Sequence, residues 1–123
     1  MYHYQNSNQQ RLKARELLLD QLAHGQTLSY QQFADRMGIV KSPIISKVTT
    51  ILEDLIAEDA ANKQPLIAAM VIQKGTAQIP RPGFYQYLQQ FGLFHGDCQG
   101  AEAVKWHQQE LQKLHHWHRT NEK

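Results

Sequence analysis

The sequence predicts a mainly helical α+β fold, and three observations carry that expectation. Apolar residues recur at three- and four-residue intervals in several separate stretches, the signature of helices with one buried face. Glycines follow two of these stretches, at Gly25 and Gly38, where a helix commonly ends in a left-handed residue. One short apolar run, Leu66–Gln73, is bounded by turn residues and reads as a buried strand.

The first helix is expected from about Ser7 to His24, with Leu12, Leu19, Leu22 and Ala23 as its apolar stripe and Leu18 beside it. Arg11, Lys13, Arg15 and Asp20 lie largely off that stripe, and Gly25 closes the helix. Thr27–Leu28 fits a single-bridge strand. Ser29 then caps a second helix that turns Phe33, Ala34 and Met37 inward and stops at Gly38. Pro43 suits the first position of a third helix, residues 43–58, with Ser42 as its cap. Ile44, Val48, Ile51 and Leu55, with Ile45, Leu52 and Ile56, give that helix a wide buried stripe. After the apolar run, Lys74–Gly75–Thr76 turns the chain. Ala77–Ile79 returns as a weaker strand in a short β-hairpin, until Pro80 and Pro82 stop it. Phe84–Phe91 forms one short helix, 92–100 a loop, and Ala101–His118 the last helix. Residues 1–6 read as a disordered N-terminus and 7–83 as the domain. Residues 84–123 read as a C-terminal helical extension that packs on the domain or forms a dimer arm.

A chain of 123 residues, 41% hydrophobic and 20% charged, matches one folded domain rather than a disordered chain. No apolar run approaches the ~20 residues that span a bilayer. The opening residues lack a basic start and an apolar stretch, so no secretion signal is read there. Cys98, the sole cysteine, cannot pair within the chain and fits a reducing compartment. A cytoplasmic location is the expectation. The net charge of +2 is low for a dedicated nucleic-acid binder. Its distribution softens the objection, because residues 1–83 hold nine Lys/Arg against seven Asp/Glu while the remainder is balanced.

The segment Leu28-Ser29-Tyr30-Gln31-Gln32-Phe33-Ala34-Asp35-Arg36-Met37-Gly38, followed by the long stretch from Ile44, is a short capped helix, a glycine break and a longer helix. Residues 10–80 resemble winged helix-turn-helix domains in this segment, where small Ala34 precedes the glycine, and in element order. The resemblance implies a winged helix-turn-helix with a short β-hairpin and, here, two additional C-terminal helices. It implies binding to double-stranded DNA, as a small dimeric transcriptional regulator whose third helix enters the major groove. The layout is also similar to the DNA-binding part of alkyltransferase-like proteins. Their Pro-Cys-His-Arg motif is missing, and Cys98 lies far downstream in His95-Gly96-Asp97-Cys98, so alkyl transfer is not supported.

Within that reading, Ser42, Ser46, Lys47 and Thr50 occupy the exposed N-terminal end of the third helix, with Lys41 just before it. Glu53, Asp54, Glu58 and Asp59 fill its C-terminal half. The helix dipole prefers anions first and cations last, so stability does not explain the opposite order. Groove entry by the first turns does. Lys74 and Arg81, the latter between Pro80 and Pro82, flank the expected wing and suit backbone contacts. The bland alternatives are a core helix with a mixed solvent face and a hairpin whose prolines guard a sheet edge.

A rival reading rests on Trp106 and Trp117, which fall roughly opposite the apolar stripe Val104, His107, Leu111, Leu114 and His118 of the last helix. Two tryptophans outside the packing stripe suit interface anchors. They point to a homodimer or to a protein-interaction module such as an immunity or antitoxin-like protein that blocks a partner. Otherwise they tuck against Phe84–Phe91. His115 and His118 lie near enough to share a metal, but His107 stands roughly 16 Å from His118 along the axis. His95 and Cys98 offer two ligands only. No metal, cofactor or catalytic set is expected, and hence no enzyme.

Overall fold

The computed structural model describes residues 7–75 and 78–121; residues 1–6, expected to be disordered, lie outside them. Helix α1 spans Ser7–Ala23. Its inward face is set by Ala14, Leu18 and Leu22, all buried. Leu12 is instead 58% exposed and Ala23 is exposed, so the helix is rotated from the expected stripe. The cause is electrostatic as well as apolar. The face centred on Leu18 and Leu22 also carries Arg11 and Arg15, which reach α3. Gly25 takes φ 68°, the left-handed conformation expected after a helix.

Strand β1 (Leu28–Ser29) leads directly into α2 (Tyr30–Met37). Ser29 caps α2 reciprocally: its Oγ accepts the Gln32 N–H at 3.1 Å, and Gln32 Oε1 accepts the Ser29 N–H at 2.9 Å. Phe33, Ala34 and Met37 are buried as expected. Gly38, at φ 78°, ends the helix while the Ile39 N–H returns to the Ala34 carbonyl. Helix α3 runs Ile44–Ala61, past the expected end at residue 58. Pro43 is its extended flanking residue, and no side chain, Ser42 included, caps the helix.

The apolar run after α3 is mostly a 3-10 turn, Ile67–Met70, and only Val71–Ile72 forms a strand, β2. The reason is where its backbone bonds go. Asp59 on α3 accepts the Ile67 N–H at 3.1 Å, and Glu110 accepts the Leu66 N–H at 2.7 Å. His107 Nε2 lies 2.8 Å from the Ala69 carbonyl, which assigns that nitrogen the proton. Three buried polar side chains thus replace a strand ladder.

Among the described residues the sheet is β1 and β2 alone, in parallel, with Leu28 opposite Val71 and Ser29 opposite Ile72. The expected hairpin is corrected accordingly. A parallel pair needs a long crossover, which α2 and α3 provide. On the far side of β2 the Gln73 N–H donates to the Ile79 carbonyl at 2.9 Å, but residues 78–80 are not strand and Pro80 has no N–H to extend a ladder. Thr76 and Ala77, within the expected turn and return strand, lie outside the described residues.

Helix α4 (Pro82–Gln90) buries Phe84, Tyr85 and Leu88. Helix α5 (Ala101–Asn121) buries Ala103, His107, Glu110 and Leu114. The Tyr85 hydroxyl donates to the Ala103 carbonyl at 3.0 Å, which ties the two together. The 3-10 turn lies at the centre, in contact with α1, α3 and α5. The architecture is mainly helical, as expected, and no helix of the described residues is long and apolar enough to cross a membrane.

Candidate functional site

The parallel strand pair builds a site that no local pattern announces. Because Ser29 sits opposite Ile72, the next residues on each side, Tyr30 and Gln73, come together at the strand ends. With Ser29, Gln31, Lys74 and Arg81 they line an open cleft of about 280 Å³. Lys74 and Arg81, both exposed, therefore converge on the start of α2.

Tyr30 organises this cleft. Its hydroxyl accepts the Arg81 backbone N–H at 3.0 Å, and the Arg81 guanidinium lies 5.8 Å from the centre of its ring, within cation–π range. The phenol is held above its ordinary pKa, since burial outweighs the lowering effects of the Arg81 backbone bond and charge. It stays protonated at neutral pH, so the group has a proton to donate. A second, smaller depression shares Tyr30 and Arg81 and adds Thr49 and Glu53 from α3. Glu53 is raised above the usual carboxylate range, by burial first and then by the neighbouring Asp54 charge.

At the start of α3, Lys41, Ser42, Ser46 and Thr50 are exposed. Lys47 is half-buried, and its ammonium donates to the Lys41 carbonyl at 3.0 Å. It therefore braces the turn before α3. The Thr50 hydroxyl donates to the Ser46 carbonyl at 3.1 Å, leaving its lone pairs outward. The acidic end of α3 has a structural explanation that the dipole argument missed. Glu58 pairs with Arg11 at 3.1 Å and Arg15 at 2.5 Å, and buried Asp59 pairs with Arg15 at 2.9 Å. Burial still lifts the Asp59 carboxyl above its ordinary value, against the Ile67 N–H and Arg15.

Of the expected residues, Lys74 and Arg81 share the cleft, while Lys41, Ser42, Ser46, Lys47 and Thr50 lie around the N-terminal turns of α3. Tyr30, Gln31, Gln73 and Thr49 were not foreseen. The signal that could have found Tyr30 was its place directly after the Ser29 cap, beside a short strand.

Trp106 is engaged within its own chain. Its indole N–H donates to the Leu93 carbonyl at 3.1 Å, and its ring meets Phe84 and Tyr85 edge-on at 5.7 and 5.8 Å. Trp117 is half-buried and packs against the core. His115, His118 and Cys98 are half-buried and His95 is exposed; among the described residues no three metal-ligating side chains come together.

Comparison with known protein families, curated proteins and solved structures gives no match to this chain.

Proposed function

We propose that the protein binds double-stranded DNA through a helix-turn-helix type of surface, as a small transcriptional regulator. One observation carries the reading. Lys74 and Arg81 meet Tyr30 and the N-terminal end of α2 in one open cleft, and the depression beside it continues through Arg81 to Thr49 of α3. Cations, amide side chains and a protonated phenol around a concave surface match the chemistry of a phosphate backbone. The capped helix, the Gly38 break and α3 support the same assignment. In it Ser42, Ser46 and Thr50 face the groove and Lys41, Lys74 and Arg81 contact phosphates. Lys47 acts mainly by holding the turn that presents them. Glu58 and Asp59 pair with Arg11 and Arg15 of α1, which gives the acidic end of α3 a role in packing the fold.

The test is binding of the full chain to a labelled pool of random duplexes at low and at physiological salt. Enrichment of a site, with affinity falling steeply as salt rises, supports the reading. Absence of binding at low salt refutes it and leaves the protein-interaction reading, for which the half-buried Trp106 and Trp117 are the first positions to probe. A homodimer reading two half-sites belongs to the same proposal, and half-site spacing in the enriched sequences would report it.

A further inference from the structure

A cavity of about 380 Å³ opens where the C-terminal end of α3 meets α5, lined by residues that the DNA proposal does not use. Its size falls in the range that accepts small ligands. One wall is apolar, formed by Pro65, Leu66, Leu93 and Trp106. The indole is fixed there by its bond to the Leu93 carbonyl and by the edges of Phe84 and Tyr85.

The polar lining is sorted by depth. Glu110, 6% exposed, is at the floor, and its Oε2 is held by the Leu66 N–H. Its Oε1 lies 3.8 Å from the Lys113 ammonium, longer than a hydrogen bond. Lys63 and Lys113 are exposed and stand at the mouth. Lys63 is held in the left-handed conformation, φ 56°, where the end of α3 turns back, and this fixes the direction from which its side chain departs.

A ligand of one sign matches only half of this lining. A lone carboxylate satisfies the lysines but faces Glu110, whereas a lone amine satisfies Glu110 but faces the lysines. We propose that the cavity binds a free amino acid with an apolar or aromatic side chain. Its ammonium would meet Glu110, its carboxylate would lie between Lys63 and Lys113, and its side chain would pack on Trp106 and Leu93. The site stands independently of DNA binding.

The experiment is a ¹H–¹⁵N NMR titration of the full chain near neutral pH with three probes. They are L-phenylalanine, 3-phenylpropionate (no amine) and 2-phenylethylamine (no carboxylate). L-phenylalanine should give saturable shifts at the Gln64, Leu66 and Leu93 amides and the Trp106 indole N–H, with Kd below about 1 mM. Each half-probe should bind at least about tenfold more weakly. Glu110→Gln keeps an acceptor for the Leu66 N–H and should abolish the preference over 3-phenylpropionate. Lys63→Gln, on an exposed side chain, should reduce the preference over 2-phenylethylamine and keeps the test decisive if Glu110→Gln perturbs folding. The inference is overturned by no saturable shift up to about 10 mM, by 3-phenylpropionate binding as tightly as L-phenylalanine, or by a preference that survives both variants.

Discussion

Arg81 combines a backbone donor bound to the Tyr30 hydroxyl, a guanidinium over the Tyr30 ring and an exposed charge at the cleft. Its backbone bond survives truncation of the side chain, so Arg81→Ala removes charge without dismantling the cleft. In the DNA reading this substitution weakens duplex binding about tenfold and lowers the log–log salt slope by about one unit. Lys74→Ala should do the same, and anisotropy at several salt concentrations measures both. His107 carries a different expectation. Burial lowers its pKa more than the Ala69 carbonyl raises it, so the folded chain resists protonation that the unfolded chain accepts. The unfolded state then binds more protons below about pH 6.5, and stability falls as pH drops through that window toward the lowered value. Asp59 and Glu110 act with the opposite sign, since their raised values make the folded state the better proton binder above the ordinary carboxylate range. Comparing urea midpoints near pH 7 and near pH 5.5 checks the first effect: His107→Gln should flatten the decline.

At the scale of elements, the α2 cap is the cleanest test of local design. Ser29→Ala deletes the acceptor for the Gln32 N–H and should cost about 1 kcal/mol in urea denaturation. Asp59→Ala should cost more, roughly 3 kcal/mol, because it strands the buried Ile67 N–H and removes a partner of Arg15. The same denaturation series compares the two. Elements with local instructions were legible in the sequence. The Ser29 cap, the Phe33, Ala34 and Met37 face and the Gly38 stop all lie within a few residues of one another. The long apolar stripe of α3 was equally readable. The rotation of α1 was not, because it follows from Arg11 and Arg15 reaching carboxylates far along the chain. Nor was the 3-10 turn, whose apolar composition suits a strand as well as it suits a buried turn. Only the arrival of Asp59, His107 and Glu110 decides between them. The site divides in the same way: Lys74 and Arg81 were visible as cations near a turn, whereas Tyr30 entered only through the pairing of β1 with β2.

For the whole molecule, the position of Trp106 separates folding from assembly. Its ring packs inside the chain, so Trp106→Ala should destabilise the fold, by about 2–4 kcal/mol, and leave the sedimentation-derived mass unchanged at concentrations where the chain stays folded. The 3-10 turn also has a consequence for how the molecule opens. Adjacent amides are tied to different helices, Leu66 to α5 through Glu110 and Ile67 to α3 through Asp59. Hydrogen exchange at Leu66 therefore reports release of the Glu110 contact from α5, and exchange at Ile67 reports release of the Asp59 contact from α3. Two neighbouring resonances thus act as separate clocks for the docking of two helices. Their difference in protection measures how far the C-terminal helix opens independently of the rest.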